Sequence, residues 1–231
     1  GSGDAVTEKI WFDILEEAGA TEFLGYETDR VEGVVTAIIS DGKRNDTVVE
    51  GSDIVFTVNQ TPFYGESGGQ QGDAGFADTV SGAVIKISDV QKKLDVMHIH
   101  SGKVIKGKLT KGDAIDLQVD GSRRERLRAN HSVTHLMHAA LRDRLGDHVT
   151  QKGSLVSPDY LRFDFSHPKA INRDSLFAVE SAVNAQIRIN GPVETRLMTP
   201  DDAEEAGALA LFGGGRRAGA QAQGDGGGAA R

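Results

Sequence analysis

Two histidines four residues apart, in His131-Ser132-Val133-Thr134-His135, form the pattern in this 231-residue sequence with the clearest chemical potential. On a helix, positions i and i+4 lie on one face, so both imidazoles can reach a single metal ion. Spacing alone favours the plainer reading of two surface or core-edge histidines, and the rest of the helix has to decide. A helical projection puts Val133, Leu136, Met137, Ala140 and Leu141 in a broad apolar arc, with His131, His135 and His138 on the other side. The histidine stripe therefore faces either solvent or a cleft. His138 lies about 10 Å from His131 along the axis. Zinc–nitrogen bonds are only about 2 Å long, so His138 is expected at the surface or behind the ligands.

A second pattern is the run Thr61-Pro62-Phe63-Tyr64-Gly65-Glu66-Ser67-Gly68-Gly69-Gln70-Gln71-Gly72-Asp73. A Gly-rich loop lets backbone approach a ligand closely and offers N–H donors to phosphate or ribose, although the same glycines also make plain turns. A third stretch, Val149 to Val156, carries Gln151, whose amide could bond an ester or an amine. The net charge of −8 argues against general nucleic-acid binding, which depends on clustered Lys and Arg. Between Gly121 and Lys152, however, seven basic residues outweigh three acidic ones, and Arg128 among them stands one turn before His131. Cysteine is absent, which excludes disulfides, thiol catalysis and any cysteine-ligated zinc site from this chain.

These groups must be positioned by the surrounding elements. Residues 4 to 20 read as a short helix, and Gly1-Ser2-Gly3 ahead of it reads as a cloning remnant. From Phe23 to Val119 the pattern is one of short β-type runs (Val34 to Ile39, Ile54 to Val58, Ala83 to Ile87, Val96 to His100, Ala114 to Val119). Turn signals such as Asp41-Gly42 and Gly102-Lys103 separate them. Strands at this spacing predict a small antiparallel barrel. Asp120 to Gly146 is the clearest helix, with Ser122-Arg123-Arg124-Glu125 matching a capping box and Gly146 as its stop. Alternation at Leu161, Phe163 and Phe165 predicts a half-buried strand, and Leu176, Val179, Val183 and Ile187 predict a second helix. Pro192 to Met198 reads as a further strand, and Thr199 opens a last short helix. The fold class is α+β: a small antiparallel β-barrel over 22–120, then a mixed α/β domain over 121–212 carrying the His-x-x-x-His helix, after an N-terminal segment over 1–21. Past Phe212 no apolar side chain larger than Ala occurs, so 213–231 is expected to be a disordered tail.

Six segments in order resemble the editing domain of alanyl-tRNA synthetases and their free-standing AlaX-type deacylase relatives. They are Glu22 to Tyr26, Thr61 to Gly72, Arg128 to Leu141, Gln151 to Val156, Leu161 to His167 and Val183 to Ile187. The resemblance implies a hydrolase that cleaves serine or glycine from the terminal adenosine of alanine-specific tRNA. It implies His131 and His135 as two Zn2+ ligands, Gln151 as a contact to the aminoacyl group and Thr134 as the reader of a serine hydroxyl. Gly68, Gly69, Gln70 and Gly72 of the loop, with Arg128, would hold the acceptor end of tRNA(Ala). A pocket that bonds the serine hydroxyl leaves its own polar group unpaired when alanine enters, which spares the correct product. The threonyl-tRNA synthetase editing domain shares a His-x-x-x-His helix, but the barrel sequence and Gly-rich loop favour the alanine family.

The departures from that family are equally specific. Its members continue past the Ala208 to Gly213 segment into a Cys-Gly-Gly-Thr-His motif supplying two further metal ligands, and here the sequence turns to Gly, Ala and Arg. That switch is what a GC-rich gene read out of frame would give. Two of four zinc ligands imply impaired hydrolysis, or a module that binds the tRNA acceptor arm without catalysis. The ATP-dependent aminoacylation portion is expected in the remainder of the synthetase. With no apolar run of membrane-spanning length and no secretory signal, a cytoplasmic location and no membrane partner are expected.

Overall fold

The computed structural model describes residues 2–191, 194–196, 199, 202 and 222–224. Helix α1 (Ser2–Ala18) opens the chain. Eleven strands follow: β1 (Glu22–Phe23), β2 (Arg30–Ser40), β3 (Lys43–Asn45), β4 (Thr47–Val49), β5 (Asp53–Val58), β6 (Gln60–Thr61), β7 (Gly75–Thr79), β8 (Val84–Lys93), β9 (Met97–Lys106), β10 (Lys108–Thr110) and β11 (Ala114–Val119). Then come α2 (Gly121–Leu145), β12 (Gln151–Val156), β13 (Leu161–Phe165), α3 (Arg173–Ile189), β14 (Glu194–Arg196) and β15 (Ala222–Gly224). No helix among the described residues is long and apolar enough to cross a membrane.

Six strands close an antiparallel barrel in the order β2-β5-β9-β8-β7-β11, and β11 pairs back onto β2. Closure leaves none of these six strands as a free edge. Register shifts between Val35 and Ala37 on β2, and between Ile87 and Asp89 on β8, supply the bends that closure needs. Inward residues alternate with outward ones: Val35, Phe56, Ile85, Ile87, Val104, Ile115 and Leu117 are buried in one cluster. A second cluster forms where α1 lays Trp11 and Ile14 on Ala37, Ile39, Met97 and Ile99. The five predicted β-runs each fall on a barrel strand, with Ala83 and Val96 one residue ahead of β8 and β9. The sixth strand, β7, went unrecognised because its buried positions are Gly75, Ala77 and Thr79, small residues that give no apolar alternation.

The chain divides into two compact units, Gly1–His131 with Ser154–Arg162, and Ser132–Gly153 with Phe163–Arg231. Helix α2 and the paired strands β12 and β13 contribute to both. The first turn of α2 is capped by Asp120, whose Oδ1 accepts from Arg123 N at 3.0 Å, rather than by the predicted box starting at Ser122. A carboxylate two residues earlier reaches the N3 amide, so Ser122 is already inside the helix. Gly146, at φ 115°, ends it as expected.

The core of the second unit joins Leu141, Val149, Val179 and Val183, with Val133, Leu136, Met137, Ala140, Phe163 and Phe165 packed against it. Of the four residues whose spacing predicts α3, Val179 and Val183 are buried, whereas Leu176 and Ile187 are exposed. Asn172 caps that helix through a bond from Ser175 N, and Asn190 ends it in the left-handed conformation. Within the expected strand at Pro192 to Met198, Glu194–Arg196 pairs antiparallel with Ala222–Gly224. Apart from those three residues, the expected tail lies outside the described residues. The same holds for the last helix, of which Thr199 and Asp202 are described, linked by a bond from Thr199 Oγ1 to Asp202 Oδ2.

Candidate functional site

The Gly-rich loop is held at both ends. Its entry is the parallel pairing of β1 with β6, where Phe23 faces Thr61. Thr61 Oγ1 lies 2.8 Å from Nε2 of the fully buried His100 and accepts a hydrogen bond from Phe63 N. The neck closes where Tyr64 N donates to Asp73 Oδ2 and Asp73 N donates to Tyr64 O. The tip is a reciprocal backbone pair between Ser67 and Gln70 around two glycines of positive φ, Gly68 at 60° and Gly69 at 86°. Two consecutive left-handed residues make the I′-type turn that only residues such as Gly adopt readily. Gly69 is also fixed sterically, since a Cβ there would lie 2.5 Å from Ser154 O. The loop then continues along β12, with Val156 N donating to Gly69 O and Gln71 N to Val156 O.

The anchor of this arrangement is Arg124 on the first turns of α2, which sequence reasoning registered only as part of a basic patch. Its guanidinium, 5% exposed, donates to Gly25 O, Asp29 Oδ1, Pro62 O and Asp73 Oδ2. One planar fork thus ties the start and the end of the loop to the helix and neutralises the buried Asp73 carboxylate. Its neighbour Arg123 donates to Gly72 O at 2.7 Å. The available signal was position: Arg124 and Leu127, three apart, share the buried face of α2.

With loop and helix tied, Gln70 Oε1 sits 2.6 Å from His131 Nδ1. A carbonyl oxygen can only accept, so this contact is a hydrogen bond when His131 carries a proton on Nδ1. Two residues predicted separately, one on the loop and one on the helix, are therefore in contact. Arg128 is half exposed on the same unit and pairs with Glu125 at 3.6 Å. In the second unit, Thr134 is buried, His135 follows on α2, and the half-buried Gln151 opens β12. His138, expected at the surface or behind the ligands, is buried, with Nε2 3.3 Å from Val149 O and its ring 5.0 Å from that of Phe163. The apolar arc of α2 is wider than the projection suggested, and the imidazole is accommodated by a carbonyl and an aromatic ring. Among the described residues no group of three or more His, Cys, Asp or Glu could hold a metal ion.

Two buried imidazoles of β9 face the barrel side of the loop. Burial pushes His98 down to about 4, helped by the Lys92 charge, and pushes His100 down to about 3, with the nearby His98 adding to it. Both are neutral at pH 7, and His98 stacks on Phe23 at 5.3 Å. Burial also raises the Tyr64 phenol, with smaller contributions from Tyr26 and Asp73.

The site thus joins a closed barrel to a basic helix, with the Gly-rich loop bonded to a helix histidine. Residues 2–123 match the family described as tRNA synthetases class II (A), and the chain belongs to that family. Over 213 residues it is 55% identical to the alanine–tRNA ligase of Rhizorhabdus wittichii and 56% identical to that of Sphingopyxis alaskensis. Each alignment covers 92% of this chain and 24% of the relative, so the chain spans about a quarter of the length of the curated relatives it matches. The alanine–tRNA ligase of Parvibaculum lavamentivorans is similar at 54%.

Proposed function

We propose that this chain is the editing portion of an alanine–tRNA ligase. It binds the acceptor end of tRNA(Ala) and hydrolyses the ester joining a wrongly attached serine or glycine to the terminal adenosine. The observation that carries this reading is the 2.6 Å bond between Gln70 and His131, which sets the Gly-rich loop directly against the histidine helix. In this scheme the backbone of Gly68, Gly69 and Gly72 and the Arg128 guanidinium hold the RNA end. Gln70 orients the His131 ring, Gln151 bonds the aminoacyl group and Thr134 tests for a side-chain hydroxyl. An unpaired buried hydroxyl disfavours alanine by about 1–3 kcal/mol.

A zinc ion on His131 and His135 would supply Lewis-acid chemistry when bound. Catalytic zinc sites use three protein ligands, and the described residues offer these two imidazoles with no third donor grouped beside them. The described residues therefore do not complete a zinc site. That shortfall favours a second reading, in which the chain docks the tRNA acceptor arm without hydrolysing it.

One experiment separates the two: release of serine from Ser-tRNA(Ala) by the chain and by His131→Ala, with zinc content measured on both. Serine release lost in the variant supports editing. Binding of tRNA(Ala) without hydrolysis selects the docking module, and absence of both sinks the proposal.

A further inference from the structure

Beside the Arg124 anchor lies a small cavity of about 160 Å³ lined by Gly25, Tyr26, Glu27, Thr28, Asp29 and Arg128. It is below the roughly 300–1,000 Å³ of pockets that enclose drug-sized ligands, a size for one ring system laid against the surface. We propose that this cavity is a nucleotide subsite. In it an amino-bearing base of an unpaired RNA 3′ end stacks on Tyr26, with its phosphate on Arg128, one nucleotide in from the ester held at His131. The inference rests on the editing reading above and adds a base-reading pocket to it.

The pocket is built rather than incidental. Tyr26 is 59% exposed yet braced, its ring edge-on to Phe23 at 5.0 Å, and Phe23 in turn stacks on the buried His98. The wall from residue 25 to 29 is pinned by Glu27 N and Thr28 N donating to Leu24 O, and by Arg124 donating to Gly25 O and to Asp29 Oδ1 at 2.6 Å. An exposed, oriented aromatic face is what single-stranded nucleic acids stack upon. Arg128, 52% exposed, is paired among the described residues with Glu125 at 3.6 Å, a surface contact easily exchanged for a phosphate.

The acidic groups sharpen the choice of base. Glu27 and Asp29 would repel a phosphate placed against them, but carboxylates accept from the exocyclic amine of cytosine or adenine. Every tRNA ends in C-C-A, so each base that could enter carries such an amine. The placement follows from the helix, since Arg128 and His131 are three residues and about 4.5 Å of axial rise apart, on one face.

The test uses the full chain and tRNA(Ala) transcripts ending in C-C-A or C-U-A, with binding read by fluorescence anisotropy. Tyr26→Ala is expected to weaken C-C-A binding about 5- to 150-fold, the range of one base–aromatic stack, and Tyr26→Phe to stay within about twofold. The unaltered chain should prefer C-C-A over C-U-A, and Tyr26→Ala should lose that preference. Arg128→Ala should weaken both RNAs alike and lower the salt slope by about 1. Equal binding of both RNAs by the unaltered chain, or an unchanged affinity in Tyr26→Ala with an unmoved urea midpoint, overturns the subsite. If Ser-tRNA(Ala) is still hydrolysed in that case, the editing reading stands without it. A chain that neither binds nor hydrolyses tRNA(Ala) removes both.

Discussion

At the scale of single residues, the Gln70–His131 bond and the Arg124 fork do different jobs. Gln70 Oε1 lies 2.6 Å from His131 Nδ1, a contact that favours the Nδ1–H tautomer, so Gln70→Ala should raise the share of the Nε2–H form. Nitrogen-15 NMR of the imidazole would show it, with more of the Nδ1–H form in the parent chain than in the variant; identical spectra would contradict the assignment. Arg124 is structural: its removal leaves the Asp73 carboxylate, 2% exposed, without its cation. Breaking a buried pair from one side costs about 3–5 kcal/mol. Arg124→Ala should therefore unfold at markedly lower urea, while Arg124→Lys, which keeps the charge but not the planar fork, should fall in between. Pairing was invisible in the sequence, because a guanidinium reads alike whether it faces water or four buried acceptors.

At the scale of elements, the beginning of α2 is the feature that sequence pattern misplaced by two residues. Asp120→Ala should cost about 0.5–2 kcal/mol of stability, whereas Ser122→Ala, at an exposed position inside the helix, should change it by less than about 0.5 kcal/mol. The reverse order in urea titrations would restore the Ser122 box. The loop tip gives a second element-level test. Gly69 has φ 86° and no room for a Cβ against Ser154 O, so Gly69→Ala should lower tRNA(Ala) binding more than Gly68→Ala, whose Cβ would meet open space. The His-x-x-x-His spacing, the Gly-rich loop and five of the six barrel strands were legible because each is a local pattern. Strand β7 and the cap at Asp120 were not, since small buried residues and a carboxylate ahead of a helix carry no periodic signal.

At the scale of the molecule, the closed barrel buries two neutral imidazoles, which makes its stability depend on pH. His98 and His100 have folded-state values of about 4 and about 3, below the ordinary value of 6.5. Between those limits the unfolded chain binds more protons than the folded one. Stability is thus full above pH 6.5 and falls as pH drops through the window toward 4 and 3. Each imidazole contributes up to about 1.4 kcal/mol per pH unit. Urea midpoints measured from pH 7.5 to 4.5 should decline steeply, and His98→Gln should flatten the decline; a flat parent profile would mean that the imidazoles reach solvent.

The sequence by itself determined the local periodicities, the paired histidines, the turn chemistry of the loop and the absence of any cysteine ligand. It also carried enough family-specific order to point to alanine-type synthetases. Only the tertiary structure decided that the loop reaches His131 through Gln70, that Arg124 fastens the loop to the helix, and which of its two expected places the buried His138 takes. It alone gathers Tyr26 and Arg128, about a hundred positions apart, around one cavity. The physical reason is that periodicity is set by neighbours along the chain, whereas burial, pairing and cavities arise where distant segments compete for the same space and the same hydrogen bonds.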